Sequence, residues 1–285
     1  MSDKIEKYTA KPRTGFIPTV KRLLPEALQG PARSVLHAYM RVRARFNERK
    51  LWVKLWLHKK RGGSYIDWYG DTLDAGVKPV EYIQEKLSDW INESGQEDLV
   101  IIKRLGLKPR HTLHEFGSGF LRSGHHFIRY LEKGNYSGND ASGGRVENAR
   151  RLFPDLIAEK GAKLHVNRDN SLDWVGRKVD YIWSHAVFGH MPEEDIEETI
   201  KNMRNVMHDD SVLLFSYDPP FGDKKDLTVH RQDSRNWSHS LDFYREIGER
   251  YGLTTEDVSS NVRDCESWRS HIHLARMTVK KSKAN

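Results

Sequence analysis

An acid and two closely spaced glycines follow a short apolar run in Leu113-His114-Glu115-Phe116-Gly117-Ser118-Gly119. Because glycine lacks a Cβ, a Gly-x-Gly turn lets the backbone reverse sharply and approach a ligand closely. The helix-like run that begins at Leu121 would present unpaired N–H groups to the same ligand. The pattern therefore predicts a nucleotide-like ligand at the end of a strand, although such turns also occur for structural reasons. The predicted contacts are Glu115, Gly117, Ser118 and Gly119.

Polar residues also follow the next two strand-like runs. Asp140 lies 25 positions after Glu115, where an acid can bond the ribose hydroxyls of a nucleoside. Asp is also a favoured N-cap of a helix, so a structural role is the alternative for Asp140. Asp169 and Asn170 could accept a hydrogen bond from the exocyclic amine of adenine, and the alternative for them is an ordinary polar loop.

The segment Ser184-His185-Ala186-Val187-Phe188-Gly189-His190-Met191 continues from the fourth strand-like run. Its polar and aromatic side chains would line a cleft at the carboxyl ends of the strands. His185 and His190 are candidate general bases, because a histidine titrates near neutral pH. A packed or capping histidine is the competing interpretation of each. We expect Ser184 to contact the ligand and Phe188 to contact an acceptor.

The elements that must position these residues alternate regularly from residue 111 onwards. Strand-like runs at 112–116, 135–139, 163–166, 179–184 and 211–217 alternate with helix-like runs, which predicts a parallel sheet covered by helices. Runs at 253–258 and 272–279 leave no room for a helix between them, so we expect them to pair antiparallel. The predicted fold is α/β: a Rossmann-like, doubly wound, mostly parallel seven-stranded sheet with a C-terminal antiparallel hairpin.

Residues 1–110 are predicted to form an α-helical N-terminal extension to the domain at 111–285. A helical region at 80–105 has a predicted break near Gly95. The chain has 285 residues, a single cysteine and a mean hydropathy of −0.74. We find no apolar run of the roughly 18 residues that a spanning helix needs, and no signal peptide. With one cysteine no intrachain disulfide can form, so we expect a cytoplasmic protein. No metal site is predicted, and the oligomeric state stays open.

The positive charge is concentrated in one segment. Residues 31–63 contain ten Lys and Arg against Glu48 alone, a net charge of +9 within a chain whose total is +7. This segment could be a solvated helix that caps the domain. The apolar run Leu51-Trp52-Val53-Lys54-Leu55-Trp56-Leu57 between cationic flanks could instead rest on an anionic membrane surface. Contact with nucleic acid is a third, less favoured interpretation.

Taken together, residues 111–280 resemble the class I, Rossmann-like S-adenosylmethionine-dependent methyltransferases. Glu115–Gly119 looks like the first motif of that family, Asn139-Asp140 like its ribose-binding acid, and Asp169-Asn170 like its adenine loop. The segment 179–191 is similar to its fourth-strand motif. Leu121 stands where many members have a third glycine, and Leu121-Arg122-Ser123-Gly124 is similar to a subgroup with Gly-x-Leu-Arg-x-Gly. A dinucleotide-binding dehydrogenase would usually have glycine at position 122.

The resemblance implies S-adenosylmethionine as cofactor and direct in-line transfer of its methyl group. We expect a small-molecule or glycan-type acceptor. A non-catalytic binding or scaffold protein with the same fold is an alternative. Another is a nucleic-acid amino-methyltransferase, because Asp218-Pro219-Pro220-Phe221 is the type of tetrapeptide that such enzymes use to hold an exocyclic amine. The expected acceptor-binding residues beyond Phe188 are Asp218, Phe221, His230 and Trp237.

Overall fold

The computed structural model describes residues 53–86, 92–220, 228–230, 237–266, 268 and 272–281. All of them belong to the compact unit Trp52–Asn285. The predictions for residues 1–52, which include most of the basic segment, and for Phe221 lie outside the described residues. No helix within the described ranges is long and apolar enough to cross a membrane.

Helices occupy the chain before the sheet. Helix α1 spans residues 53–60, and the next three are α2 (Tyr65–Asp74), α3 (Val80–Lys86) and α4 (Asn92–Arg104). Ser64 caps α2, because its hydroxyl accepts a hydrogen bond from the Asp67 N–H at 3.1 Å. The break predicted near Gly95 is wrong, since Gly95 lies inside α4. A Cβ there would come within 2.0 Å of the Arg122 carbonyl oxygen, so this glycine permits close packing.

Helix α1 is the described part of the basic segment. It buries Leu55 and exposes Val53, Trp56 and Leu57, of which Trp56 is 58% exposed. Within the described residues, nothing covers that apolar face. All three interpretations of the basic segment stay predictions.

One seven-stranded sheet, in the order β3-β2-β1-β4-β5-β9-β8, forms the centre of the unit. Its strands are β1 (Leu113–Phe116), β2 (Tyr136–Asp140), β3 (Lys163–Val166), β4 (Val179–Ser184), β5 (Met207–Tyr217), β8 (Leu253–Asp257) and β9 (His273–Val279). Strands β1 to β5 run parallel, and β9 is antiparallel to both β5 and β8. The predicted mostly parallel sheet with a C-terminal antiparallel pair is confirmed.

The later helices cover both faces of this sheet. They are α5 (Gly124–Tyr130), α6 (Gly143–Leu152), α7 (Pro154–Lys160), α8 (Glu193–Asn205) and α9 (Leu241–Arg250). Apolar side chains fill the two layers between helices and sheet, with Phe215 and Ile200 in one and Trp183 and Phe127 in the other. Burying each such side chain stabilises the fold by about 1.5–3 kcal/mol.

Three local features differ from the sequence prediction. Helix α7 is separate from α6, because Pro154 begins it after Phe153 leaves helical geometry. Strand β5 begins at Met207, four residues before the predicted start at Ser211. Between the strand-like runs at 211–217 and 253–258, the chain contains a short antiparallel pair that was not predicted, β6 (Thr228–His230) and β7 (Trp237–His239).

Candidate functional site

A cavity of about 270 Å³ opens at the carboxyl ends of the central strands. Its walls come from the segments that follow β1, β2, β3 and β4, and from helix α2. Parallel strands end at the same edge of a sheet, and ligands of open α/β sheets bind outside that edge. The predicted residues that line it are Glu115, Gly117, Ser118, Gly119, Asp140, Asn170, His185 and His190.

The glycine turn uses its own N–H groups within the protein. Gly117 and Ser118 both donate to the Asn139 carbonyl at 2.8 Å, and Gly119 donates to Asp140 Oδ2 at 2.9 Å. These three N–H groups are therefore not available to a ligand, although the sequence predicted ligand contacts at all three residues. Gly119 has φ +55°, and a Cβ on it would enter open space in the cavity wall. The turn therefore keeps room for a ligand beside it.

The helix after the turn also begins later than predicted. Leu121 is fully buried and has φ +69°, and α5 starts only at Gly124. A Cβ at Gly124 would lie 2.6 Å from Glu115 Oε2. Glycine at this place is therefore needed for the acid to pack beneath the turn.

Two buried carboxyl groups face this cavity from β1 and β2. Burial raises the pKa of Glu115 to about 8, while a hydrogen bond from the Tyr136 hydroxyl partly opposes that rise. Asp140 accepts from Gly119 N and, at 2.8 Å, from Ser142 N. Burial also raises the pKa of Asp140. Both groups are placed to bind hydroxyl or ammonium groups of a ligand.

The two residues of the predicted adenine loop have different surroundings. Asp169 is exposed, and its Oδ1 accepts from the Ser171 N–H at 3.0 Å within the loop. Asn170 is buried with φ +58°, and its Oδ1 lacks a hydrogen-bond partner among the described residues. The same is true of the Ser118 hydroxyl. Because buried polar atoms are nearly always paired, these two oxygens mark places for ligand donors.

Helix α2 forms a wall of the cavity that the motifs did not predict. Ile66, Tyr69 and Leu73 line it. On the other side of α2, one guanidinium, that of Arg168, binds three carboxylates. Its nitrogens lie 3.2, 2.8 and 2.7 Å from oxygens of Asp67, Asp71 and Asp74. The spacing of these acids, i, i+4 and i+7, is a helix-face signal that the sequence carried.

The same helix is tied to the loop after β2. Asp74 accepts from the Ser142 hydroxyl and, at 3.0 Å, from the Gly144 N–H. A Cβ at Gly70 would lie 2.4 Å from the Ala141 carbonyl oxygen, so glycine lets the helix backbone approach this loop. Helix α2 is thereby fixed to the loops that carry Asp140 and Asn170.

A buried ionic network lies below the other end of the cavity. Asp98 of α4 is fully buried, and it accepts from Arg122 at 2.6 Å, Ser123 at 2.5 Å and Trp268 at 2.9 Å. His185 Nδ1 lies 3.0 Å from the same carboxylate. Burial alone would raise the pKa of Asp98, but Arg122 and His185 hold it well below its usual range. No local sequence motif predicted this network.

The remaining predicted residues lie at different depths. His190 lines the cavity beside Tyr69, with ring centroids 6.0 Å apart, and its carbonyl accepts from the Tyr65 hydroxyl at 2.6 Å. Phe188 packs in the core 5.0 Å from the Phe215 ring and is not part of the cavity wall. Ser184 is likewise buried and outside the lining.

Of the expected acceptor residues after β5, the two whose side chains the structure describes, Asp218 and Trp237, are not part of this cavity wall. Asp218 directly follows β5, and its carbonyl accepts from the His239 N–H at 3.1 Å. Trp237 is buried in β7 against the Tyr65 ring, with centroids 5.7 Å apart. His230 is described only as part of the β6 backbone.

Comparison with known proteins agrees with this geometry. The model of a family described as "Methyltransferase domain" matches residues 114–213, which include β1, the glycine turn, Asp140 and the segment after β4. No curated protein sequence matches the chain significantly.

Several solved structures share the fold at low sequence identity. DesVI of Streptomyces venezuelae has a TM-score of 0.52 at 14% identity, over 70% of this chain and 96% of that one. The CcbJ methyltransferase of Streptomyces caelestis has a TM-score of 0.52 at 11% identity, over 66% and 90%. The glycopeptide N-methyltransferase MtfA has a TM-score of 0.51 at 13% identity, over 67% and 92%. The family match over residues 114–213 and the sheet order together show that the chain contains a methyltransferase domain with a Rossmann-like fold.

Proposed function

We propose that the protein transfers the methyl group of S-adenosylmethionine to a small-molecule or glycan-type acceptor by direct in-line displacement. One observation carries the proposal. Asp140, Ser118 and Asn170 line a single cavity at the carboxyl ends of the parallel strands, and Ser118 Oγ and Asn170 Oδ1 have no hydrogen-bond partner among the described residues.

Each of these side chains suits a different part of the cofactor. Asp140 would accept from the ribose hydroxyls, and Asn170 Oδ1 from the adenine amine. Asn170 is better placed for this than Asp169, whose carboxylate is exposed and holds its own loop. Glu115 would accept from the ammonium group of the methionine part. When bound, S-adenosylmethionine supplies a methyl group on a cationic sulfur, ready for in-line transfer.

The protein contributes mainly alignment and exclusion of water. Ile66 and Leu73 of α2 cover the cavity from one side, and Phe116 and Met191 contribute apolar surface from the strand ends. The ties from Arg168 and Asp74 hold this cover in place. A cofactor fixed between these walls presents its methyl group in one direction.

A proton acceptor is required only if the acceptor atom loses a proton during transfer. Of the two candidate histidines, His190 lies beside Tyr69 on the wall shared with α2. The Nδ1 atom of His185 already faces Asp98 and Arg122. We therefore assign the base to His190, with His185 as the second candidate.

The position of Asp218 bears on the acceptor class. In amino-directed nucleic-acid methyltransferases the corresponding tetrapeptide normally follows the fourth strand. Here Asp218 follows β5 and is not among the cavity-lining residues. No contact within the described residues favours nucleic acid as the acceptor.

Transfer of radiolabelled methyl from S-adenosylmethionine tests the proposal. The purified protein should label a component of a small-metabolite or glycan extract, and Asp140→Ala should abolish the labelling. Labelling of RNA or DNA alone would contradict the proposed acceptor class. No labelling of any fraction, together with no binding of S-adenosylmethionine, would contradict the proposed function.

A further inference from the structure

We propose that Arg122 and His185, oriented by Asp98, form the pole of the cavity that binds the carboxylate of the methionine part of the cofactor. The inference rests on the proposed function and adds a site that the glycine turn did not predict. Its residues come partly from α4 and from Trp268, both outside the 114–213 family match.

The sheet order fixes which end of a ligand meets this pole. Strands β3, β2, β1 and β4 are neighbours in that order. Their following segments therefore present Asn170, Asp140, the glycine turn and His185 in a row along one edge. A ligand with its adenosine on Asn170 and Asp140 must direct its amino-acid part towards Arg122 and His185.

Several main-chain donors near this place are already used within the protein. The N–H groups of Gly117, Ser118 and Gly119 are already bonded within the protein. The N–H of Leu121 donates to the Ser118 carbonyl at 2.8 Å. In the first turn of α5, His125 N–H donates to the Leu121 carbonyl at 3.2 Å.

Arg122 has the donors that such a ligand needs. Its Nη1 donates to Ser94 Oγ at 3.2 Å, and its Nη2 lies 2.6 Å from Asp98 Oδ2 and 2.8 Å from His185 Nδ1. Three of its five N–H groups are thereby used, and the described residues supply no partner for the other two. The side chain is 22% exposed and lines the cavity. A guanidinium fixed in this way suits a carboxylate.

His185 adds a second, almost buried donor. Its side chain is 9% exposed and its ring stacks on Trp268, with centroids 4.2 Å apart. Since Nδ1 faces Asp98 and Arg122, the ring is fixed at one edge. Nε2 has no hydrogen-bond partner among the described residues, and His185 lines the cavity. Nε2 is therefore the ring nitrogen that is left for a ligand, and it donates to a carboxylate when it carries a proton.

Asp98 is a positioning residue. It holds Arg122, Ser123, Trp268 and His185 on one fully buried carboxylate. Glu115, on the neighbouring strand, would receive the ammonium group. The ammonium group of the ligand would then contact Glu115, and its carboxylate would contact Arg122 and His185.

Titration calorimetry with two probes tests the site. S-adenosylhomocysteine has the amino-acid part, and 5′-methylthioadenosine has the same adenosine and thioether sulfur without it. Arg122→Gln should weaken S-adenosylhomocysteine by about 10- to 100-fold, because a charge-assisted contact is lost. It should leave 5′-methylthioadenosine nearly unchanged. His185→Gln and Asp98→Asn should also lower the affinity for S-adenosylhomocysteine relative to that for 5′-methylthioadenosine.

Arg145→Gln is the matched control, because Arg145 also lines the cavity but lies on α6, after Asp140. It should not change the ratio. Equal effects of Arg122→Gln on both probes, or no effect on either, would overturn the carboxylate pole while the cofactor assignment stands. If the wild type binds neither probe, the proposed function fails as well.

Discussion

The strand edge and the helical wall of the cavity are held together in different ways. At the edge, main-chain groups fix the geometry, as when Gly119 and Ser142 N–H groups bind Asp140. At the wall, long-range ion pairs do so, as between Arg168 and the acids of α2, about a hundred positions earlier. The edge is thus specified by short local motifs, whereas the wall depends on side chains brought together by the fold.

The largest effect should come from removing Asp98, the buried acid of α4 that, like Arg168 at the wall, joins distant parts of the chain. Asp98→Ala leaves Arg122 without its buried partner, and we expect a loss of about 3–5 kcal/mol in the free energy of unfolding. Urea denaturation measures this loss. Asp264→Ala breaks the exposed pair with Arg104 and should shift the denaturation midpoint far less. Equal midpoint shifts for the two variants would contradict a larger contribution of the buried network to stability.

At the edge, Glu115 should make stability depend on pH. Its pKa in the folded protein is about 8, above its ordinary value of 4.5, so the folded state holds the proton more tightly between these values. The stabilisation is complete below pH 4.5 and is lost as the pH rises towards 8. Relative to Glu115→Gln, the wild type should lose at most about 1.4 kcal/mol per pH unit in this window. Urea melts at pH 5 to 8 measure the difference, and a pH-independent difference would contradict a buried neutral acid.

Loosening the wall should reduce ligand affinity more than stability. Arg168→Ala removes the tie between α2 and the loop after β3, so S-adenosylhomocysteine should bind about five- to tenfold more weakly and dissociate faster. Stopped-flow dissociation and calorimetry measure both quantities. Arg151→Ala breaks an exposed pair with Glu147 on α6 and serves as the control. If both variants bind equally well, α2 does not act as a cover.

The smallest predicted effect separates two neighbours at the edge. Asn170→Ala removes the buried oxygen assigned to adenine and should weaken S-adenosylhomocysteine by about three- to tenfold. Asp169→Ala should have little effect, because that carboxylate is exposed. Calorimetry of the two variants side by side decides the assignment, and the reverse order of effects would exchange the two roles.

Much of the fold could be predicted from the sequence because the strands carry strong local signals. Strands β3 and β4 were predicted with their observed bounds. The start of β5 was not predicted because His208-Asp209-Asp210 is polar. Helix α7 was not predicted as a separate helix because Pro154 is typical of the end of a helix as well as of its start. Helix α4 continues through Gly95 because that glycine packs against Arg122, a contact that no local pattern could show.

The site, too, contains residues that the sequence could predict and residues that it could not. The edge residues Glu115, Ser118, Asp140 and Asn170 could be found because motif and strand end coincide. Phe188 was expected at the acceptor, but its side chain fills the core. Asp98 could not be found, because its significance depends on Arg122, His185 and Trp268, which only the tertiary structure brings to it.

Calorimetric titration of the wild type and Asp140→Ala with S-adenosylmethionine and S-adenosylhomocysteine tests the central claim most directly. We expect both ligands to bind the wild type at one site. Asp140→Ala should weaken both by at least about tenfold, since it removes a buried acceptor for the ribose. Failure of the wild type to bind either ligand, or undiminished binding to the variant, would contradict a cofactor site at the carboxyl ends of β1 and β2.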